Sequence, residues 1–345
     1  MTRQRAPVQE RTVGASEAGA STMRAAVIAA PERLELARGP LPVPGPGEVR
    51  VRLQGCGVCA SNLPLWEGRE WFEYPQEPGA PGHEGWGIVD AVGSDVAALA
   101  LGQRVALLSY HAFATHDIAA AEDVVPLPPE LAGRPFPAEP LACAINAFAR
   151  ADVGQGQTVA IVGIGFFGAL LTQLAASAGA RVVAISRRPF ALEIARRCGA
   201  EEALQMEDEA EVVEAVEALT DGALCPRVIE ATGHQAGLDL ATKLTGTRGR
   251  LVIAGYHQGP RTVNMQQWNW RGLDVVNAHE REPELYRQGM AEAVRAVQAG
   301  RIDLAPLITH RCSLQELPAA FTLMRERPQG FLKAIVSFPK GEKPE

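Results

Sequence analysis

The sequence has no long hydrophobic run, few cysteines and no excess of positive charge. Its apolar stretches fall short of the roughly 20 residues that cross a bilayer as a helix, so no membrane anchoring is expected. Six cysteines among 345 residues are too few for a disulfide-rich scaffold, which favours a cytoplasmic protein. The net charge of −7 makes nucleic acid an unfavourable partner.

The start of the chain lacks the apolar segment of a secretory signal. Residues 1–22 are small and polar, and we expect them to be a disordered extension, with order beginning near Met23. The full chain is 47% apolar and 21% charged, which is ordinary for a globular protein. The length suits two domains.

The pattern of the chain changes near residue 148. Before it, valine alternation and Pro/Gly punctuation predict a β-rich region, followed by one helix that starts at Pro137–Glu139. After it, apolar β-branched runs such as VAIVGIG alternate with helical segments up to about residue 284, which predicts a doubly wound parallel sheet and an α/β fold. A long helix and short strands end the chain.

A glycine pattern follows the first of these buried strands. G-I-G-F-F-G directly follows the strand and opens a helix, the context in which G-x-G-x-x-G indicates a dinucleotide site. The glycines permit a tight turn, approach of a pyrophosphate and close helix packing. The candidate cofactor-binding residues are Gly163, Gly165, Phe166, Phe167 and Gly168.

The end of the second buried strand predicts which nucleotide is bound. NAD sites usually carry an acidic residue there, whereas this chain has Ser186, Arg187 and Arg188. A hydroxyl and two guanidinium groups would bind a ribose 2′-phosphate through charge-assisted hydrogen bonds. The sequence therefore favours NADP, with NAD possible if the arginines face solvent.

Potential metal ligands lie in three segments. Cys56 and Cys59 form a C-x-x-C pair, which is typical of a redox pair, a structural zinc site or part of a catalytic one. No second C-x-x-C completes a structural site, and the β-rich surroundings do not favour a redox pair. Cys59, His83 and either Glu139 or Cys143 would supply the three protein ligands of a catalytic zinc, with Cys56 a buried apolar residue.

Taken in order, four motifs resemble those of the zinc-containing medium-chain dehydrogenase/reductase family of alcohol and polyol dehydrogenases. They are G-V-C-A-S-N at 57–62, G-H-E-G at 82–85, E-P-L-A-C at 139–143 and G-I-G-F-F-G at 163–168. The resemblance implies a GroES-like catalytic domain made of residues 23–147 and 285–345. It also implies a Rossmann domain of residues 148–284 and an active site in the cleft between the two.

The resemblance also implies roles for individual residues. Cys59 and His83 would be zinc ligands, and Glu84 the glutamate beside the zinc that acts either as a transient ligand or by contacting the ligands themselves. The third ligand would be Glu139, as in polyol-type members, or Cys143, which is displaced by one position from the cysteine of other members. Ser61 matches the hydroxyl residue that takes the proton of the substrate alcohol.

Three departures from the family pattern affect this reading. Asn62 replaces the aspartate that orients the ligand histidine, and Pro64 stands where many members have a relay histidine. The four closely spaced cysteines of the structural-zinc lobe are missing after Val92, so one catalytic zinc and no structural zinc is expected.

These observations predict an NADP-preferring alcohol dehydrogenase or carbonyl reductase, active as a homodimer or homotetramer on a small-molecule alcohol, ketone or aldehyde. A bulky substrate is expected because aromatic residues cluster in segments that line the cleft in this family: Trp66, Trp71, Phe72, Tyr74, Trp86, Trp268 and Trp270. The alternative for any one of the tryptophans is that it packs the domain or a subunit interface. The main alternative is a zinc-independent C=C or C=N reductase on the same scaffold. A binding protein that kept the fold without chemistry is a third possibility.

Overall fold

A computed structural model describes residues 10–12 and 22–338. Its strands are β1 (Glu10–Thr12), β2 (Thr22–Ala30), β3 (Arg33–Pro40), β4 (Glu48–Gly57), β5 (Gly85–Val92), β6 (Arg104–Leu107), β7 (His116–Ala120), β8 (Val124–Pro126), β9 (Thr158–Val162), β10 (Arg181–Ser186), β11 (Glu202–Gln205), β12 (Cys225–Glu230), β13 (Thr245–Ile253), β14 (Asp274–Asn277), β15 (His310–Cys312) and β16 (Ala334–Ser337). Its helices are α1 (Leu63–Trp66), α2 (Ala138–Ala151), α3 (Phe166–Ser177), α4 (Pro189–Arg197), α5 (Glu209–Leu219), α6 (Gln235–Leu244), α7 (Met265–Arg271), α8 (Pro283–Gln298) and α9 (Leu317–Glu326). Short 3₁₀ turns lie at Ala60–Asn62, Ala121–Asp123, Pro129–Leu131 and Leu314–Glu316.

The chain divides into two compact units. Unit 1 comprises Met1–Glu139 and Ile308–Glu345, and unit 2 comprises Pro140–Leu307. These limits differ from the predicted domain limits of residues 147 and 285, since most of α2 and all of α8 belong to unit 2. The two helices pack together: a Cβ added at Gly289 of α8 would lie 3.1 Å from the Cβ of Ala142 in α2.

Unit 1 is the predicted β-rich part. Within the described residues it holds a sheet in the order β15-β16-β4-β5-β6-β8, with β7 also paired to β4, and a smaller sheet in the order β1-β3-β2. Strand β4 shows the expected alternation, because Val49, Val51 and Leu53 are buried whereas Arg52 is exposed. The core of unit 1 also contains Phe113 and Phe321.

Unit 2 is a Rossmann domain, as predicted. Its parallel strands follow the order β11-β10-β9-β12-β13-β14. Strands β10 and β11 are added outward on one side of β9 and the last three strands on its other side, so the order switches direction between β9 and β12. Ligands of such sheets bind outside the carboxyl ends of the strands at this point. Residues 159–162 of β9 are completely buried, as expected of a central strand with helices on both faces.

The predicted disordered extension, residues 1–22, lies outside the described residues except for β1 and Thr22. Strand β1 pairs in parallel with Leu36, Ala37 and Arg38 of β3. Over the described part of the chain, no helix is both long and apolar enough to cross a membrane.

Candidate active site

The turn after β4 fixes the position of the first predicted ligand. Cys59 directly precedes the 3₁₀ turn Ala60–Asn62, and its backbone N–H donates to Oδ1 of Asn62 over 3.2 Å. The amide Nδ2 of Asn62 donates to the carbonyl of Pro81 over 3.2 Å, which ties this turn to the segment that carries His83. Cys59 and Ser61 are half-buried in this turn.

The orientation of His83 comes from the backbone. Its Nδ1 lies 2.9 Å from the carbonyl oxygen of Pro81 and 3.5 Å from the side-chain amide of Asn62. A carbonyl only accepts, so Nδ1 carries the proton and Nε2 presents its lone pair. The carbonyl of Pro81 thus accepts the hydrogen bond from His83 that the resemblance assigns to an aspartate at position 62.

Glu84 directly follows His83 in the sequence, and its side chain is completely buried. Its Oε1 accepts from Nζ of Lys333 over 2.6 Å, whereas no described residue donates to its buried Oε2. A Cβ at position 57 would lie only 1.7 Å from Oε2, so Gly57 is required to make room for this carboxylate. The glycine of the G-V-C motif therefore has a steric function.

Together these residues form a site with the donor chemistry of zinc. Cys59, His83 and Glu84 each offer one ligand atom, and these atoms lie within 4.8 Å of one another. Oε2 of Glu139, at the start of α2, lies 4.0 Å from Nε2 of His83. A thiol, an imidazole and carboxylates at this spacing match zinc, and Oε2 of Glu84 is a buried acceptor without a donor.

The electrostatics of the cluster favour a cation. Burial alone would lower the pKa of His83, but Cys59, followed by Glu139 and Glu84, raises this pKa to about 10. Cys59, Glu139 and Glu84 raise the pKa of His83 because they surround it with negative charge, which favours a second proton on the ring. The site residues therefore fit a divalent cation in place of that proton.

The other two cysteines of the sequence motifs do not belong to this cluster. Cys143 lies in unit 2, where its Sγ is 3.5 Å from the hydroxyl of Tyr286. Cys56 is completely buried, and burial, followed by the charge of Glu84, raises its pKa well above the ordinary value. Cys56 is therefore the inert apolar residue expected from the sequence.

Two of the tryptophans assigned to a substrate-binding wall have a different role. Trp66 and Trp86 are each only 3% exposed, and Trp66 stacks on Phe321 with ring centroids 4.8 Å apart. These two rings belong to the core of unit 1. Trp71 and Trp270 are exposed, and Trp268 is half-buried, where its Nε1 donates to Oγ1 of Thr242.

The predicted nucleotide fingerprint has the expected geometry in unit 2. Gly163 has a φ of 103°, and a Cβ there would meet Cγ2 of Thr232 at 2.6 Å, so this position requires glycine. A Cβ at Gly168 would lie 2.0 Å from the carbonyl of Gly163. At Gly165, the N-cap of α3, a Cβ would meet no protein atom within 4 Å. The missing side chain at Gly165 leaves space that a phosphate can fill.

The remaining cofactor candidates lie near this turn or at the end of β10. Phe166 is buried and Phe167 half-buried in the first turn of α3. Ser186 is buried, and its Oγ accepts from the backbone N–H of Arg188 over 3.3 Å. Nη2 of Arg188 donates to the carbonyl of Ile164 over 3.1 Å, next to the glycine turn. Arg187 is exposed.

Comparisons with known proteins agree with both units. A family model described as alcohol dehydrogenase GroES-like domain matches residues 45–128, and a model described as zinc-binding dehydrogenase matches residues 167–296. The chain belongs to the zinc-containing medium-chain dehydrogenase family. It is an oxidoreductase that acts on CH–OH groups and takes zinc and a nicotinamide nucleotide as cofactors.

Individual relatives cover nearly the whole chain. An alcohol dehydrogenase of Cupriavidus necator is 26% identical over 91% of this chain and 98% of its own. A zinc-binding dehydrogenase of Sinorhizobium meliloti, solved with NADP, is 25% identical, with a TM-score of 0.79 over 92% of this chain and 100% of its own. A protein of Escherichia coli described as a short chain alcohol dehydrogenase, solved with NADH, is 23% identical, with a TM-score of 0.82 over the same shares.

The structure of this dehydrogenase also brings forward residues that the sequence analysis missed. Lys333 is buried against Glu84, although the sequence shows it only as a lone cation in the apolar segment FLKAIVSF. Glu230 is completely buried at the end of β12 and contacts His257. The available signal was a charged residue at the border of an apolar strand, Glu230 at the end of β12 and Lys333 just before β16, because such residues are almost never fully buried unless paired.

Proposed function

We propose that this dehydrogenase is an NADP-preferring alcohol dehydrogenase or carbonyl reductase with one catalytic zinc per chain. The observation that carries the proposal is the cluster of Cys59, His83 and Glu84 within one unit, with Glu139 beside it. Its second support is the Gly165 turn, which leaves space for a nucleotide phosphate.

Cys59, His83 and Glu139 would hold the zinc. Glu139 is preferred over Cys143, because Glu139 lies 4.0 Å from His83 whereas the thiol of Cys143 contacts Tyr286. Glu84 would be the neighbouring carboxylate, held in place by its hydrogen bond from Lys333. When bound, zinc would polarise the oxygen of the substrate as a Lewis acid, and the nicotinamide would accept or supply the hydride.

Ser61 would take the proton of the substrate alcohol. Its hydroxyl is half-buried in the turn that holds Cys59, which places it next to a ligand and within reach of solvent. A hydroxyl both donates and accepts, so it can receive a proton on one side and release one on the other. Pro64 cannot continue such a relay, so we propose that the proton leaves from Ser61 to water.

The nucleotide preference would come from the end of β10. Of the two solved relatives, one holds NADH and the other NADP, so the choice of nucleotide in this chain has to be argued from its own residues at the end of β10. Arg188 is hydrogen-bonded to Ile164, whereas Arg187 is exposed, which is the arrangement for which the sequence left NAD possible. The preference for NADP therefore depends on the guanidinium of Arg187 binding the 2′-phosphate. The buried hydroxyl of Ser186 brings no negative charge that would repel this phosphate.

Replacing Arg187 by alanine should weaken NADPH binding selectively. We expect the KM for NADPH to rise about 10- to 100-fold, the value of one hydrogen bond to a charged group, with little change for NADH. Steady-state kinetics with both nucleotides make the measurement. Arg181→Ala, at the opposite end of β10, is the matched control. Equal effects on both nucleotides in Arg187→Ala would contradict the assignment.

The activity itself can be tested on the purified protein. Elemental analysis should find about one zinc per chain. A panel of aromatic and alicyclic alcohols and ketones should show turnover with NADP(H), and this turnover should disappear on removal of zinc by a chelator and return with added zinc. Turnover of C=C or C=N substrates that persists without zinc would overturn the proposal in favour of a zinc-independent reductase.

We propose that the bulky substrate contacts Trp71, since Trp66 and Trp86 are in the core.

We also propose a homodimer or homotetramer that forms through β14. This strand is the edge of its sheet in the described structure, and Trp270 of the preceding helix is 84% exposed. Light scattering that gives the mass of a single chain would contradict the assembly.

A further inference from the structure

The end of β12 and the loop after β13 carry a chain of hydrogen-bonded polar side chains that the family motifs do not include. Nε2 of His257 lies 2.8 Å from Oε2 of Glu230, and Nε of Arg261 donates to Nδ1 of His257 over 2.9 Å. Nη2 of Arg261 donates to the carbonyl of Gly233 over 2.9 Å. The loop after β13 is thus linked to the loop after β12 by three successive side chains.

The hydrogen-bond pattern fixes the form of the histidine. A guanidinium N–H only donates, so Nδ1 of His257 accepts, and the ring proton lies on Nε2 and is donated to Glu230. His257 therefore donates a hydrogen bond to Glu230 and accepts one from Arg261, so its imidazole ring bridges these two side chains. Its side chain is 13% exposed and that of Glu230 is 0% exposed, so water does not readily replace it.

The other oxygen of Glu230 holds the loop that follows β12. Oε1 accepts from the backbone N–H of Thr232 over 2.6 Å and from that of Gly233 over 2.9 Å, and also from the Thr232 hydroxyl. Thr232 in turn packs against Gly163, where a Cβ would meet its Cγ2 at 2.6 Å. Glu230 thus connects His257 to the first glycine of the nucleotide fingerprint.

The two loops are pressed together closely enough to require glycine on each side. A Cβ at Gly233 would lie 2.5 Å from the carbonyl of Tyr256, and a Cβ at Gly255 would lie 2.3 Å from the N–H nitrogen of Gly233. Both loops lie at the carboxyl edge beside the switch between β9 and β12, where dinucleotides bind. The position of one loop therefore determines that of the other at the edge of this crevice.

We propose that His257 is a positioning residue for the nicotinamide nucleotide. By bridging Glu230 and Arg261 it holds the loop after β13 against the loop after β12, and so keeps the crevice in its binding form before the nucleotide arrives. The proposal rests on the proposed function, because it assumes that this crevice takes NADP(H). A preformed site binds more tightly since less ordering is needed on binding.

The test compares two replacements of His257. His257→Leu removes the donor and the acceptor, whereas His257→Gln keeps an N–H donor and a C=O acceptor. We expect the Kd of NADPH, from fluorescence titration, to rise about tenfold in His257→Leu, the scale of one lost charged hydrogen bond, and to recover at least in part in His257→Gln. KM for NADPH should follow Kd, with kcat and zinc content nearly unchanged.

Hydrogen exchange provides a readout that does not depend on turnover. In nucleotide-free protein, the amides of residues 254–263 should exchange faster in His257→Leu than in wild type or His257→Gln. His111→Leu is the matched control, because His111 also lies 2.8 Å from a glutamate, Glu77, but belongs to unit 1 and its side chain is 40% exposed. This control should leave Kd and exchange unchanged.

The outcomes separate the two proposals. Wild-type protein that does not bind NADPH would overturn the proposed function. Wild type that binds NADPH while His257→Leu binds it equally well, or exchange in the loop that stays unchanged, would overturn only the role of His257. If His257→Leu fails to fold, Arg261→Ala breaks the other half of the bridge at a partly exposed site, and it should give the same rise in Kd.

Discussion

Cys59→Ala should abolish turnover and zinc binding while NADPH still binds. Cys59 is one of the three grouped ligand residues, and its removal leaves too few protein ligands for a stable zinc site. Lewis-acid activation is worth several kcal/mol, and each 1.36 kcal/mol is a factor of ten, so we expect kcat/KM to fall by at least about 10³-fold. Elemental analysis and steady-state kinetics make the measurement.

The C-x-x-C pair supplies a matched control within the same motif. Cys56→Ala also removes one thiol three residues away, but the pKa of Cys56 is raised by burial and its thiol lies in the core. This variant should retain about one zinc per chain and most of the turnover. Equal zinc loss in both variants would contradict the assignment, as would loss of NADPH binding in Cys59→Ala, which would indicate misfolding.

The fold was predictable because its signals are local. Period-two alternation in β4 and the completely apolar β9 each follow from the environment of a single strand. The glycine fingerprint was predictable for the same reason, since Gly163, Gly165 and Gly168 act within one strand, turn and helix. The sequence did not indicate that α2 and α8 belong to the same unit, because their packing depends on contacts between segments that are distant in the chain.

The site was predictable as a set of residue types but not as a network. Short motifs indicated Cys59 and His83, yet they did not show that Pro81 orients His83. The sequence left a core position and a substrate wall both open for Trp66 and Trp86, because an aromatic side chain has the same local pattern in either place; the structure puts both in the core. Long-range partners such as Lys333 leave only a weak trace in sequence.

Lys333→Met should destabilise unit 1 by about 3–5 kcal/mol, the usual cost of removing one partner from a buried ion pair. Lys333 and Glu84 are 3% and 0% exposed, and their charged atoms lie 2.6 Å apart. Burial lowers the pKa of Lys333, but the charges of Glu84 and Cys59 and the hydrogen bond to Glu84 together raise this pKa above its ordinary value, so the amine is charged at neutral pH. Methionine keeps most of the volume and leaves the carboxylate of Glu84 buried without its cation.

Urea unfolding in the presence of a chelator, followed by tryptophan fluorescence, measures this change without a contribution from zinc. Lys243→Met is the matched control: its partner is Glu209, the two side chains are 47% and 35% exposed, and the loss should stay below about 1 kcal/mol. A loss as small as this in Lys333→Met would mean that the buried pair does not stabilise the unit.

A double variant separates the loss of packing from the loss of charge compensation. Glu84→Gln keeps the shape of the side chain and removes its charge, so Lys333→Met combined with Glu84→Gln leaves no unpaired charge in the core. The double variant should therefore be more stable than Lys333→Met alone, although both of its buried groups are changed. If the double variant is instead less stable by the sum of both single losses, the two side chains act independently, and Lys333 does not serve to hold the charge of Glu84 beside the zinc ligands.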